Sequence, residues 1–224
     1  GHRASVSATA QNPGSVRGGT GAVHVQNAAA CPRYTGRVIQ AIDPYAKTPW
    51  WMLKRLWQGG IRHINAVVDI TNYLLLEWGT PLHAFDKDRL SGPISVRSSQ
   101  SSEKLLLLND KEVTTDQTTL LVADAKGPLA IAGIMGGQSS AVTAETKNIF
   151  LESAYFAPEA IASKGRQYGI SSESSYRFER GVDPNLCQQA LNRATHLLLT
   201  ICKGQAGPVT HTESLQHLPN TPDI

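Results

Sequence analysis

The chain has little of what usually announces a chemistry. Its 224 residues include three cysteines, Cys31, Cys187 and Cys202, with no CxxC pair and no metal-ligand spacing. So odd and sparse a set argues against a disulfide framework and points to core thiols in a reducing compartment. A cytoplasmic location is therefore expected, and no metal site. No apolar run is long enough to span a membrane, and none follows Gly1-His2-Arg3, so neither a membrane partner nor a signal peptide is expected. Gly1-His2 reads as an expression remnant. Charged residues are scarce at 17%, and the net charge is only +3. Bulk attraction to nucleic acid is thereby excluded, and any such role needs a local patch or pocket. The GxSxG elbow, HExxH, the Walker loop and the dinucleotide fingerprint are all missing.

What is present is enough apolar material, 41%, for one full-sized domain or two small ones sharing a core. Residues 1–30, rich in Gly, Ser, Ala, Asn and Gln, read as a flexible lead or linker. A first strand is expected over 34–42. Thr48 as N-cap and Pro49 at the first helical position open a helix that Gly59-Gly60 ends. Trp50, Leu53, Leu56 and Trp57 give that helix an apolar face. A second helix is expected over 69–78, ending at Gly79. From 93 to 153 the period shortens, with apolar runs at 94–96, 105–108, 120–122, 129–135 and 149–151 separated by turn residues, which reads as a mixed or antiparallel strand block. Helices return at 158–168 and from Asp183-Pro184 to about Lys203. The polar stretch after Gly207-Pro208 reads as an exit linker. Helices flanking a block of strands make the fold α+β.

Only a few polar residues stand out. The glycine-rich run 133–137 follows an apolar strand and lacks a Lys-Ser/Thr partner, so it is no phosphate cradle. Paired glycines commonly serve a tight turn, but they also let a flat ligand approach the backbone closely. His83 follows the end of the second helix, and a lone histidine is more often structural than catalytic. Glu152 ends an apolar strand, where a carboxylate is costly unless it has a partner or turns to solvent. Arg177, Glu179, Arg180 and Asp183 read as a helix-end charge cluster, with contact to RNA as the functional alternative. These residues alone yield no reaction.

Longer motifs do carry a resemblance. Cys31-Pro32-Arg33-Tyr34-Thr35-Gly36-Arg37-Val38, Asn65-Ala66-Val67-Val68-Asp69-Ile70-Thr71-Asn72-Tyr73 and Pro81-Leu82-His83-Ala84-Phe85-Asp86 are three of them. The glycine run 133–137, Leu151-Glu152-Ser153-Ala154-Tyr155-Phe156 and Tyr176-Arg177-Phe178-Glu179-Arg180-Gly181-Val182-Asp183-Pro184 follow in order. Together they resemble the tRNA-editing domain of bacterial phenylalanyl-tRNA synthetase beta chains. The resemblance covers about residues 31–210 as two intimately packed halves, leaving 211–224 as the linker. It implies a barrel-like strand core with helices around it. It also implies hydrolysis of the ester in mischarged Tyr-tRNA(Phe). The parent enzyme it implies has two alpha and two beta chains and attaches phenylalanine to tRNA(Phe) with ATP and magnesium, neither of which is expected in this chain.

The resemblance further implies site residues. Glu152 matches the residue that reads the tyrosine hydroxyl, and His83 matches a histidine important for hydrolysis. His83 as general base and His83 as a group that only positions water both stay open. Thr71 and Asn72 match positions near the substrate and its terminal adenosine. Ala132, Gly133 and Gly136 match a backbone wall against the aromatic ring, and Ser172 and Ser174 match two further pocket positions. Serine stands at 174 where the family usually has alanine. Two rivals stay open beside catalysis, namely a non-catalytic module that orients tRNA or scaffolds the beta chain, and a free-standing trans-editing protein.

Overall fold

The computed structural model describes residues 22–100 and 102–219. The expected lead at 1–30 therefore lies mostly outside the described residues. The described part of it includes strand β1, Val23–Val25, which pairs in parallel with Ile94–Val96 of β4, Ile94–Ser98. β4 continues antiparallel to β7, Leu120–Ala123, then β8, Pro128–Ile131, and β9, Met135–Gly136, forming a sheet of order β1-β4-β7-β8-β9. A second sheet has order β11-β2-β10-β3. Its strands are β2, Arg33–Gln40, β3, Leu82–Asp86, β10, Ile149–Tyr155, and β11, Gln205–Glu213. A small hairpin joins β5, Lys104–Leu106, to β6, Glu112–Thr114.

The α+β mixture is as expected, but the barrel-like core is not there. Neither sheet closes, because β1 and β9 are opposite edges of one and β11 and β3 opposite edges of the other. Closure needs edge strands long enough to pair with a consistent stagger. β9 has only two residues, and beyond the sheets the 141 and 137 backbones are held by single bridges, Phe85 to Ala141 and Leu107 to Gly137.

Alternation along the four-stranded sheet divides the interior in two. Tyr34, Val38, Phe85, Phe150 and Ala154 face the five-stranded sheet and share a core with it. Ile39, Ala84, Ile149 and Leu151 face the other way, onto helices. Those helices are α1, Trp50–Gln58, α2, Ala66–Trp78, and α6, Leu186–Ile201. The short helices α3, Pro158–Ile161, α4, Lys164–Gln167, and α5, Glu173–Phe178, lie between β10 and α6 in the chain. The single helix expected over 158–168 is thus two, broken where Ser163 takes a left-handed φ of 68°.

Two expectations about α1 also change. It buries Met52 and Leu56, while Trp50 and Trp57 stand in solvent at 77% and 80% exposure. Thr48 does not cap it, because its hydroxyl donates instead to the buried carboxylate of Asp69, at 2.5 Å. That carboxylate also meets His63 Nδ1 and receives the Ile64 amide. α2 starts earlier than expected, at a true cap in which the Asn65 side chain accepts from the Val68 amide at 3.0 Å. At the far end, β11 pairs with β2 through Glu213, so the chain is still sheet at the first residues of the expected linker. No described helix is long and apolar enough to cross a membrane.

Candidate functional site

The strand pairing fixes two polar residues side by side. β10 and β3 run antiparallel with Glu152 directly opposite His83. Both therefore project from the same face of the sheet, the one turned toward the five-stranded sheet. Directly opposite Glu152 on β2 stands Gly36, which presents no side chain, and a Cβ there would lie 2.3 Å from the Phe150 ring.

Glu152 and His83 stand on one wall of a cavity of about 230 Å³. Val122 of β7, Ala130 and Ile131 of β8 and Met135 of β9 form another wall. Phe156 and Phe178, edge to face at 5.1 Å between ring centres, close a side of it. Every site residue expected from the sequence lines this cavity except Thr71 and Asn72. Those two lie on α2, where the Thr71 hydroxyl donates to the Val68 carbonyl at 2.8 Å.

Burial governs the electrostatics of both groups. Glu152 is 7% exposed, and burial raises its carboxyl to about 7, against a smaller opposing pull from a hydrogen bond. That bond comes from the buried Tyr34, whose hydroxyl donates to Glu152 Oε2 at 2.6 Å. His83 is only partly exposed and its Nε2 is shut off from solvent with no protein partner. Burial lowers its imidazole to about 4, so the ring is neutral at physiological pH. It stacks edge-on to Phe85, with ring centres 4.4 Å apart.

The glycine-rich run contributes close packing. Gly133 has a left-handed φ of 68°, and a Cβ on it would crowd Ile161, Phe156 and Phe178 at 3.0–3.1 Å. A Cβ on Gly136 would lie 2.6 Å from His83 Cε1. The start of α5 ties this run down. The Ser174 hydroxyl donates to the Gly133 carbonyl at 2.9 Å, and the Ser172 hydroxyl donates to the Ile134 carbonyl at 2.7 Å. Ser172 also caps α5 by accepting from the Ser175 amide at 3.0 Å. Both serines thus hold the cavity wall as well as line it. In the charge cluster further on, Arg180 stacks over the Tyr176 ring at 3.5 Å and Arg177 pairs with Glu173 at 3.7 Å.

Sequence reasoning missed Tyr34 as the partner of Glu152. The signal was available, since a buried phenol and a carboxylate in an apolar strand each need a partner. Among the described residues, no group of three or more His, Cys, Asp and Glu could hold a metal ion.

Comparison with known proteins supplies a family. A model described as the B3/4 domain matches residues 30–203. The phenylalanine–tRNA ligase beta subunit of Colwellia psychrerythraea is 52% identical over 202 residues, covering 90% of this chain and 25% of its own length. That of Methylococcus capsulatus is 53% identical over 197 residues, with 88% and 25% covered. The chain therefore spans about a quarter of the curated relatives it matches. An N-terminal fragment of the phenylalanyl-tRNA synthetase beta subunit from Pyrococcus horikoshii has a similar fold. Its TM-score is 0.57 at 15% identity, with 89% of this chain and 56% of that one covered.

Proposed function

Because the chain belongs to the family of bacterial phenylalanine–tRNA ligase beta subunits, of which it carries the B3/4 domain, we propose that its cavity hydrolyses the ester of tyrosine misattached to tRNA(Phe). The observation that carries this reading is the buried Glu152, set opposite a neutral His83 in a pocket with otherwise apolar and hydroxyl-bearing walls. A dry cavity of about 150 Å³ is known to take up benzene. The larger volume here suits a phenol ring.

The need for such a site follows from the chemistry of the two amino acids. Phenylalanine and tyrosine differ by one hydroxyl, and an apolar pocket rejects an added hydroxyl by only about 100-fold. A second pocket can invert the test. Tyr34 occupies Oε2 of Glu152 and leaves Oε1 to accept a substrate phenol. Phenylalanine would leave that oxygen without a donor, at a cost of roughly 1–3 kcal/mol. The ester is already activated, so orientation and hydrogen bonding supply most of what the site must do. A neutral His83 on the cavity wall can accept a proton from water or hold the water in place. Thr71 and Asn72 serve the terminal adenosine in this proposal, and the backbone at 132, 133 and 136 flanks the ring. Attachment of phenylalanine with ATP and magnesium, and assembly with alpha chains and a second beta chain, belong in the same proposal to the whole enzyme.

The test is hydrolysis of pre-charged Tyr-tRNA(Phe) and Phe-tRNA(Phe) by the wild type and by Glu152→Gln. The substitution should lower the preference for tyrosine by about tenfold or more, the equivalent of a lost bond to a charged group. An unchanged preference would overturn the role given to Glu152.

A further inference from the structure

We propose that Tyr34 is a positioning residue of this site, holding one oxygen of the Glu152 carboxylate as an acceptor and thereby setting the pH range over which the site tells tyrosine from phenylalanine. The inference rests on the editing function proposed above and adds a residue and a pH dependence to it.

The geometry is specific. Tyr34 is fully buried, and its hydroxyl reaches Glu152 Oε2 at 2.6 Å. It lies opposite Ala154 on the neighbouring strand, one diagonal from Glu152, a separation that long aromatic side chains span. The residue directly opposite Glu152 is Gly36, so Tyr34 is the β2 side chain that meets the carboxylate. Burial and the nearby Glu152 together push the Tyr34 phenol well above its ordinary range, so it stays protonated and remains a donor.

A hydrogen bond to the charged form of an acid favours that form, whereas burial disfavours it. Tyr34 is the group that opposes burial at Glu152. The other titratable groups around Glu152 do not change charge near neutral pH. His83, opposite it on β3, is neutral above about 4. Cys31, just before β2, is buried and raised, so it stays a thiol. The cavity residues of β7, β8, β9 and α5 are apolar or carry hydroxyls. The charge that changes near neutrality is therefore that of Glu152, which burial raises to about 7. Below that range the carboxyl is protonated, and its bond to a substrate phenol loses its charge assistance.

The experiment uses the full-length protein and reads the ratio of Tyr-tRNA(Phe) to Phe-tRNA(Phe) hydrolysis against pH. Taking the ratio cancels the alkaline lability common to both esters. The wild-type ratio should rise to a plateau as Glu152 ionises. Tyr34→Phe should shift that midpoint upward by about one unit. Site-specific 3-fluorotyrosine at position 34 keeps the shape and strengthens the donor, so it should shift the midpoint downward. Opposite shifts from the two changes are not produced by packing alone. If Tyr34→Phe fails to fold, as thermal melting would show, the fluorotyrosine protein decides by itself. Profiles that superimpose on the wild type while Glu152→Gln still abolishes discrimination would overturn the role of Tyr34. If Glu152→Gln leaves the discrimination intact, the underlying reading of the site fails instead.

Discussion

Gly136 has a backbone that any residue could adopt, yet its missing side chain decides where His83 sits. A methyl group there would overlap Cε1 and Nε2 of the imidazole, at 2.6 and 2.9 Å, so the ring must turn away. We expect Gly136→Ala to cost roughly 1–3 kcal/mol through overpacking, measurable by denaturant titration. Hydrolysis should fall further, by about 100-fold for a displacement near 1 Å. Retained activity would place His83 outside the mechanism. The sequence showed that glycines at 133–137 permit a close approach, but not that a histidine far away in the chain makes one of the approaches. Glu152 was legible as a carboxylate at the end of an apolar run, in need of a partner or of solvent. Its partner was not, because 118 positions separate Tyr34 from it and only strand pairing joins them.

The cavity depends on the loop between β8 and β9, and α5 holds that loop through two serine hydroxyls. Ser174→Ala removes the donor to the Gly133 carbonyl and should cost about 1 kcal/mol. The loop should loosen before the fold does, so amide hydrogen exchange at Ile134 should speed up while the amides of β10 stay protected. Equal exchange in variant and wild type would show that the serine does not anchor the loop. The three long helices were legible, but α5 was not expected at all, and the apolar face of α1 was misread. On α1, the expected stripe of Trp50, Leu53, Leu56 and Trp57 has three-to-four spacing, and a second stripe, Met52 with Leu56, shares Leu56 with it. Periodicity cannot choose between them. α2 chooses, by packing against the second stripe and leaving Trp50 and Trp57 outside. The helix expected over 158–168 breaks at Ser163, which no glycine or proline marks.

For the molecule as a whole, the two titratable groups of the cavity wall pull stability in opposite directions with pH. Glu152 is raised from 4.5 to about 7, so the folded state holds its proton longer and stability falls as pH rises between those values. His83 is lowered from 6.5 to about 4, so the folded state refuses a proton that the unfolded state takes, and stability is lost as pH falls below 6.5. Over the shared interval the two slopes offset each other. Glu152→Gln removes one of them. We expect that variant to melt higher than the wild type at pH 8, by up to about 3 kcal/mol, and to lose its advantage toward pH 5. A wild type of equal stability at pH 8 would mean that Glu152 costs the fold nothing. The α+β class was legible from period and punctuation, but the absence of closure was not. Strand order is set by pairings such as β2 with β10 and β11, between segments remote in sequence. His83 and Glu152 meet only because β3 and β10 are aligned at those two positions. A slip of one residue in that alignment would turn His83 away from Glu152, onto the helix-backed face. Such a chain would keep its helices and its compactness and still have no pocket chemistry. Titration with a tyrosyl ester analogue would then count correctly assembled molecules in a preparation, a quality check that spectroscopy of secondary structure cannot make.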